Sequence, residues 1–232
     1  MKLMGLQKLT LLDFPGKMAC TVFTGGCNFR CPFCHNASLV LAPGQDGTIP
    51  EEEVLALLRR RRGILDGICV TGGEPLLQPD LADFLRRCRA EGAQIKLDTN
   101  GALPDRLQAL TAQGLVDFVA MDLKNSRARY GETVGVPGLD LAPVEESVRF
   151  LLQGTVPYEF RTTVVRGLHT ADDLAAIADW IAGAQSYWLQ QFVDSGDLIG
   201  SGMSAFSPAE MRGFLAEVRR KVPAAGLRGI SE

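Results

Sequence analysis

The feature that most constrains the fold is an alternation of short β-like runs with helical stretches, which occurs six times along the chain. The predicted strands are 18–24, 67–71, 94–99, 116–123, 158–165 and 187–193. The predicted helices are 50–62, 79–91, 104–113, 143–153, 171–182 and 208–221, and a loop is expected over 39–48. Sequential β–α repeats predict a parallel sheet with right-handed crossovers. Six units favour a partial (β/α)6 barrel, because a closed barrel needs eight, although a doubly wound open sheet has the same pattern.

The length and charge of the chain bound its organisation and its partners. The 232 residues predict a single domain over 1–232, with a core at about 18–193 and a C-terminal helix at about 207–221. A formal charge of −3 argues against a nucleic-acid partner. No apolar run reaches the roughly 18 residues of a membrane helix, and the start lacks the apolar core of a signal peptide. We therefore expect a cytoplasmic protein without a membrane partner.

Three of the six cysteines lie on one short stretch, Cys27, Cys31 and Cys34, directly after the first predicted strand. Soft thiolate ligands select zinc, copper(I) or an iron–sulfur cluster. A conventional electron-transfer cluster needs four protein ligands, so a three-cysteine cluster would leave one iron open to a substrate or cofactor. The alternative is a zinc site with His35 as the fourth ligand, but a histidine adjacent to the last cysteine would need an awkward geometry.

The other cysteines, Cys20, Cys69 and Cys88, occur singly in apolar segments. We predict that they are small buried hydrophobic residues.

A glycine-rich segment, Thr71-Gly72-Gly73-Glu74-Pro75, ends the second predicted strand. Ligands of parallel α/β sheets bind at the carboxyl ends of the strands. Two glycines let the backbone come close to a ligand, and their carbonyls with the Glu74 carboxylate can accept hydrogen bonds from an ammonium group. An ordinary Gly-Gly turn is the alternative.

Polar residues also end the later strands. Asp98-Thr99-Asn100-Gly101 follows the third strand, where an ordinary Asn-Gly turn is the alternative. Met121-Asp122-Leu123-Lys124 ends the fourth, where a surface ion pair is the alternative. The last two strands contain the polar pairs Arg161 and Thr163, and Gln190 and Gln191. We expect the alternation of a strand to point one residue of each pair inward.

The cysteine stretch resembles the motif of the radical S-adenosylmethionine superfamily, which is C-x3-C-x2-C with an aromatic residue before the last cysteine. The resemblance implies that Cys27, Cys31 and Cys34 bind one [4Fe-4S] cluster and that Phe33 lies beside the adenine of S-adenosylmethionine. The amino and carboxylate groups of the methionine part would chelate the fourth iron. The fold implied is the partial barrel of this superfamily.

The polar strand ends fit the same resemblance. Residues 72–75 resemble the superfamily's GGEP motif, 98–101 resemble the DTNG motif of the glycyl-radical-enzyme activases, and 122–124 resemble their DLK segment. Asp98 and Asn100 would help to hold the ribose or the methionine carboxylate, and Lys124 would pair with that carboxylate while Asp122 orients it. The implied cofactor-binding residues are Phe33, Gly72, Gly73, Glu74, Pro75, Asp98, Asn100, Asp122, Lys124 and Arg161.

Two segments resemble the activating proteins of anaerobic ribonucleoside-triphosphate reductase. They are residues 9–17 and the end of the cysteine stretch, Cys34-His35-Asn36. Pyruvate formate-lyase activating enzymes usually carry Gly-Pro-Gly and then Ile-Arg where this chain has Phe14-Pro15-Gly16-Lys17. The resemblance implies a radical that forms from S-adenosylmethionine and takes hydrogen from a glycine of a partner enzyme, with a flavodoxin- or ferredoxin-type electron donor. The alternatives are a pyruvate formate-lyase-type activase, a superfamily enzyme acting on a small molecule or peptide, and a zinc-binding or electron-transfer module.

Three further residues have predicted structural roles. His169 follows the fifth predicted strand, and we expect a loop or capping histidine rather than a catalytic acid. Trp180 and Trp188 are predicted to be packing residues.

Overall fold

The structure is a computed structural model, and it describes residues 1–44 and 47–230. Contacts divide these residues into two compact units. The first unit comprises Met1–Asn28, Ser38–Thr99 and Leu103–Ala120. The second comprises Phe29–Ala37, Asn100–Ala102 and the chain from Met121 onward.

The first unit contains four strands and the start of a fifth, in the sheet order β1-β2-β3-β4-β5. Strands β2, β3 and β4 are parallel and in register, whereas β1 runs antiparallel to β2. The strands are β1 (Leu3–Thr10), β2 (Ala19–Thr24), β3 (Gly67–Gly72), β4 (Gln94–Thr99) and β5 (Phe118–Asp122), and β5 is divided between the units.

Five helices follow these strands, and the three longest bury apolar side chains. They are α1 (Ala37–Leu41), α2 (Glu51–Arg60), the 3-10 helix Pro75–Leu77, α3 (Leu81–Ala90) and α4 (Pro104–Ala112). Helix α2 has three glutamates in its first turn and arginines in its last, so its charges complement the helix dipole at both ends. In α3 the buried side chains are Leu81, Phe84, Leu85 and Cys88, which recur at the three- and four-residue spacing of one helix face.

The second unit contains the end of β5 and the strands β6 (Tyr158–Val164), β7 (Tyr187–Gln191) and β8 (Ala225–Arg228), in the sheet order β5-β6-β7-β8. Strand β7 pairs in parallel with both β6 and β8. Its helices are the 3-10 helix Arg127–Arg129, α5 (Tyr130–Thr133), α6 (Ala142–Leu152), α7 (Ala171–Trp180) and α8 (Pro208–Val218). Capping boxes begin the last two helices, with Thr170 and Asp173 at α7 and Ser207 and Glu210 at α8.

All six predicted strands are present, and the α/β prediction with a mostly parallel sheet is confirmed. The strand number was wrong, because the sheet has eight strands among the described residues. Strand β1 was missed because its sequence does not alternate cleanly, and β8 because it has only four residues. The prediction that all strands are parallel was wrong for β1. The prediction of one domain over the whole chain stays a prediction.

Two smaller features complete the comparison with the sequence. Part of the expected loop 39–48 is helical, because α1 extends to Leu41, and residues 45 and 46 lie outside the described residues. Within the described part of the chain, no helix combines the length and the apolar character that crossing a bilayer requires.

Candidate functional site

The cysteine loop, residues 25–36, begins where β2 ends. Cys31 is buried, whereas Cys27 and Cys34 are half-buried, and all six cysteines of the chain are thiols rather than disulfides. A turn links two of the predicted ligands, because the Cys34 amide donates to the Cys31 carbonyl at 3.0 Å. Among the described residues, no three His, Cys, Asp or Glu side chains converge closely enough to hold a single metal ion.

His35 is engaged in packing. Its ring stacks on Phe192 at 5.5 Å between centroids with an interplanar angle of 23°. Burial lowers the pKa of His35, against a smaller opposing effect of a hydrogen bond to the Val193 backbone. The ring therefore packs against Phe192, and the zinc site with His35 as the fourth ligand stays an untested alternative.

In the second unit, two glycine turns hold the backbone of the cysteine loop. The Arg30 amide donates to the Val134 carbonyl at 2.8 Å, and a Cβ on Gly135 would lie 2.6 Å from the Arg30 carbonyl oxygen. The Gly200 amide donates to the Pro32 carbonyl at 2.8 Å, and a Cβ on Gly200 would lie 2.7 Å from the Pro32 Cβ. Both glycines are therefore required by close approach to the loop.

The glycines that end β3 are fixed against the end of β2. Gly72 has a φ of +125°, and a Cβ there would clash with the Thr24 backbone. A Cβ on Gly73 would clash with the Gly26 carbonyl, which also accepts a hydrogen bond from the Glu74 amide at 2.8 Å. The segment is thus more than an ordinary turn, because it fixes the backbone at the start of the cysteine loop.

Glu74 has a structural role that the sequence did not reveal. The side chain is 1% exposed and caps the 3-10 helix Pro75–Leu77. Its Oε1 atom accepts hydrogen bonds from the Leu76 amide at 3.0 Å and from the Thr99 hydroxyl at 2.8 Å. The carboxylate therefore links the ends of β3 and β4, and its predicted contact with a cofactor stays a prediction.

Asp98 lies at the end of β4 beside two polar side chains that sequence reasoning missed. The Lys96 ammonium forms an ion pair with the Asp98 carboxylate and lies 3.8 Å from the Cys69 thiol. Cys69 is buried as predicted, but its surroundings are polar rather than apolar. The spacing of Lys96 and Asp98 could have revealed this ion pair in the sequence, because residues two apart in a strand share a face.

Cys20 and Cys88 are the buried hydrophobic cysteines that we predicted. Both have no exposed surface (0%). Burial raises the pKa of Cys20 to about 12 and also raises that of Cys88, so both remain thiols at physiological pH.

The Asn100 side chain forms a turn with its own backbone. Its Oδ1 atom accepts from the Ala102 amide at 2.9 Å, which is an Asx turn. Gly101 has a φ of +76°, a Cβ there would clash with Met121, and its carbonyl accepts from the Ser147 hydroxyl at 2.7 Å. The Asn-Gly turn is therefore observed, and a contact between Asn100 and a ligand stays a prediction.

In the second unit, Asp122, Lys124 and Arg161 form one ion cluster. The Asp122 carboxylate accepts from Lys124 Nζ at 3.0 Å and from Arg161 Nε at 2.8 Å. Burial raises the pKa of Asp122, but Arg161 and Lys124 outweigh it and hold the pKa well below its usual range. Burial likewise lowers the pKa of Lys124, but Asp122 and the neighbouring Cys31 outweigh it and raise the pKa. The cluster stays charged at physiological pH and carries a net positive charge.

The position of Arg161 corrects one expectation. Arg161 and Thr163 are two residues apart in β6 and therefore share a face, and both are half-buried. The expectation that only one of this pair points inward was wrong.

Phe33 and His169 form a buried pair, 4% and 3% exposed, with ring centroids 6.2 Å apart. The His169 Nδ1 atom accepts from the Val165 amide at 3.1 Å, so Nε2 carries the proton and donates to the Lys124 carbonyl at 2.8 Å. Burial lowers the pKa of His169, which keeps the ring neutral. The prediction of a loop histidine is confirmed, and the place of Phe33 beside adenine stays a prediction.

The two tryptophans pack as predicted. Trp180 lies edge-on to Tyr130 at 6.1 Å, and the Arg127 guanidinium lies 4.7 Å from its ring centroid. The Arg228 guanidinium lies 4.4 Å from the ring centroid of Trp188. These contacts are packing and cation–π interactions.

The chain is similar to known proteins over most of its length. The family model of the radical SAM superfamily matches residues 21–181. A protein of Methanocaldococcus jannaschii whose name assigns it to the glycyl-radical enzyme activating enzymes is 30% identical over 194 residues, which are 81% of this chain and 78% of that protein. The pyruvate formate-lyase-activating enzyme of Clostridium pasteurianum is 33% identical over 126 residues, which are 52% of this chain and 51% of that enzyme.

Solved structures show the same fold. A domain of a pyruvate-formate lyase-activating enzyme from Bacteroides vulgatus has a TM-score of 0.58 at 20% identity, covering 70% of this chain and 99% of that domain. Streptococcus suis SuiB bound to its precursor peptide has a TM-score of 0.72 at 13% identity, covering 90% of this chain and 48% of SuiB. With the family match over most of the chain, these similarities show that the chain belongs to the radical SAM superfamily, in the group that holds the glycyl-radical enzyme activating enzymes.

Proposed function

We propose that this chain is an activase that cleaves S-adenosylmethionine reductively and generates a glycyl radical on a partner enzyme. The observation that carries the proposal is the similarity to the Methanocaldococcus jannaschii protein, which extends over 81% of this chain. The cysteine loop and the polar ends of β3, β4 and β5 lie within residues 21–181, which match the superfamily.

Membership in the superfamily implies one [4Fe-4S] cluster and S-adenosylmethionine, and the residues present fit both. Three thiols on one short loop are the soft donor set that iron–sulfur clusters require. The charged Lys124 lies near Cys31. We assign Cys27, Cys31 and Cys34 as the cluster ligands.

When bound, the cluster and S-adenosylmethionine together supply the radical chemistry. The residues of the chain itself bind and orient the cluster and S-adenosylmethionine. The net positive ion cluster of Asp122, Lys124 and Arg161 provides a charge for the cofactor carboxylate. Buried Phe33 and His169 provide an apolar wall that excludes water.

The remaining assignments concern the backbone and the strand ends. We assign Gly72, Gly73 and Pro75 to cofactor binding because they lie at and just after the carboxyl end of β3, where ligands of parallel sheets bind. Asp98 and Asn100 end β4 and begin the turn after it, where ligands of parallel sheets bind.

We propose anaerobic ribonucleoside-triphosphate reductase as the partner and a flavodoxin- or ferredoxin-type protein as the electron donor. Support comes from the opening segment 9–17 and the Cys34-His35-Asn36 ending, which resemble the activating proteins of that reductase. Pyruvate formate-lyase is the second candidate, because two relatives are activating enzymes of that lyase, from Clostridium pasteurianum and Escherichia coli.

The test begins with anaerobic iron–sulfur reconstitution, reduction with dithionite and chromatographic measurement of 5′-deoxyadenosine from S-adenosylmethionine. We expect product from the native chain and none from Cys31→Ala, because two thiolates would remain. Cys88→Ala is the matched control, since it removes a buried thiol outside the loop and should keep both iron and product. Full turnover by Cys31→Ala would contradict the ligand assignment.

The partner is then identified by electron paramagnetic resonance of mixtures with each candidate enzyme. We expect a glycyl-radical signal with anaerobic ribonucleoside-triphosphate reductase. A signal with pyruvate formate-lyase alone would favour the second candidate, and 5′-deoxyadenosine without a signal from either would favour a small-molecule or peptide substrate.

A further inference from the structure

His169 is a buried side chain whose two ring nitrogens bond to different parts of the second unit. Its Nδ1 atom accepts a hydrogen bond from the Val165 amide at 3.1 Å, and its Nε2 atom donates to the Lys124 carbonyl at 2.8 Å. The ring is 3% exposed and packs edge-on against Phe33. His169 therefore ties the segment that follows β6 to the segment that follows β5.

Only one form of the His169 ring satisfies both hydrogen bonds. The Val165 amide can only donate and the Lys124 carbonyl can only accept, so the proton of the neutral ring must be on Nε2. Burial lowers the pKa of His169, which favours this neutral form. A ring that is bonded at both nitrogens has a fixed orientation, and it therefore holds the Lys124 carbonyl in one place.

Other side chains join the same two segments. Asn125 Nδ2 donates to the Leu168 carbonyl at 3.0 Å, which fixes the residue that follows Lys124. The Tyr130 hydroxyl forms a hydrogen bond with the Lys124 backbone, which lowers the pKa of Tyr130 against the larger effect of burial. These bonds hold the chain on either side of the carbonyl, and His169 binds the carbonyl itself.

The position of the Lys124 backbone matters because Lys124 belongs to the ion cluster. Its Nζ atom lies 3.0 Å from Asp122 Oδ2, and the neighbouring Cys31 also contributes to its raised pKa. A lysine ammonium is a point charge on a flexible stem of four carbons, so its reach depends on where the backbone is held. A displacement of about 1 Å can cost a positioned group much of its effect.

Resting on the proposed function, we propose that His169 is a positioning residue, which holds the Lys124 carbonyl so that the Lys124 ammonium can pair with the carboxylate of S-adenosylmethionine. The ring acts on the cofactor only through Lys124. Removal of the two ring nitrogens should therefore weaken the binding of the cofactor carboxylate and leave the other cofactor contacts unchanged.

The first measurement needs no cofactor. His169→Phe keeps a ring against Phe33 and removes both nitrogens. We expect crystal structures of this variant and of the native chain, in the same crystal form, to show the Lys124 carbonyl displaced by about 1 Å and the 3.0 Å ion pair with Asp122 broken. An unmoved Lys124 in the variant would overturn the proposal.

Tyr158→Phe is the matched control for that structure. The Tyr158 hydroxyl accepts from the Gln185 amide at 3.3 Å, at the opposite end of β6 from Val165. This control leaves a backbone amide without its acceptor, as His169→Phe does, and it should leave Lys124 in place.

The second measurement compares S-adenosylmethionine with its decarboxylated analogue, which lacks only the carboxylate. Dissociation constants of both are measured on the reconstituted full-length chain and its variants, with iron content determined for each. We expect His169→Phe to weaken binding of S-adenosylmethionine about fivefold and to leave the analogue unchanged. His169→Gln, whose amide can accept and donate as the ring does, should bind S-adenosylmethionine within about twofold of the native chain. An equal loss for both ligands in His169→Phe, or no loss for either, would overturn the proposal.

A double variant tests whether His169 acts through Lys124. Adding His169→Phe to Lys124→Met should not weaken binding of S-adenosylmethionine further, because the ammonium is already absent. An additive loss would overturn the proposal, and so would an unchanged constant in Lys124→Met alone. If His169→Phe folds poorly, His169→Leu removes the same nitrogens and is judged by the same outcomes.

These measurements separate the inference from the proposed function. If the native chain binds S-adenosylmethionine but does not cleave it, the activase proposal fails, while the structure and the dissociation constants still decide the role of His169. If the native chain cleaves the cofactor and His169→Phe leaves Lys124 in place, only the inference fails.

Discussion

Replacement of Glu74 by alanine tests the structural role of its buried carboxylate. The variant leaves two donors, the Leu76 amide and the Thr99 hydroxyl, without the acceptor that binds them at 3.0 and 2.8 Å. A buried donor without a partner costs about 1–3 kcal/mol. Because the Thr99 hydroxyl can rotate, we expect the free energy of unfolding to fall by about 2–4 kcal/mol.

Chemical denaturation of the chain without cofactors, followed by circular dichroism, measures this loss directly. For a chain of this size the loss corresponds to a decrease in Tm of about 4–16 °C. Thr99→Val removes one donor alone and should cost less than Glu74→Ala. The two effects should be less than additive in the double variant, because both remove the same hydrogen bond. A Glu74→Ala chain within about 0.5 kcal/mol of the native chain would refute the structural role and leave ligand binding as the use of the carboxylate.

The remaining predictions concern a glycine, a histidine and a lysine. Gly73→Ala should destabilise the chain by about 1–3 kcal/mol in the same denaturation assay, because its Cβ would clash with the Gly26 carbonyl, and an unchanged midpoint would contradict this packing. Burial lowers the pKa of His169 in the folded chain, so the unfolded chain binds more protons as the pH falls below about 6.5 and stability decreases there. His169→Gln should reduce this loss of stability between pH 7.5 and pH 5, and an identical pH profile would argue against a buried neutral ring. Lys124→Met should raise the dissociation constant of S-adenosylmethionine about tenfold with iron content unchanged. An unaltered constant would show that the ammonium pairs with Asp122 and does not contribute to cofactor binding.

Much of the fold could be predicted because its signals are local. The apolar spacing in α3 and the charge order in α2 are properties of about ten neighbouring residues. The same holds for the cysteine spacing, which needs no tertiary contact to be recognised. Strand β1 was missed for the converse reason, since its antiparallel pairing with β2 is decided by a partner strand rather than by its own alternation.

The candidate site was predicted as a set of positions and not as a set of contacts. Asp122 and Lys124 were expected to act together, and their ion pair is observed. The sequence could not show that Arg161 completes the cluster, because the strand that carries it is brought alongside Asp122 only by the sheet.

The sequence by itself determined six of the strands, the helices that alternate with them, the three-thiol loop and the polar residues that end the strands. These follow from short-range periodicity and spacing, which the covalent chain fixes. Only the tertiary structure decided which of these residues meet. Glu74 reaches Thr99 across 25 residues and Lys96 reaches Cys69 across 27, because parallel strands in register bring distant positions to the same level of the sheet. Register and burial are collective properties of the sheet, so the partners of a buried charge are set by packing and not by its neighbours in the chain.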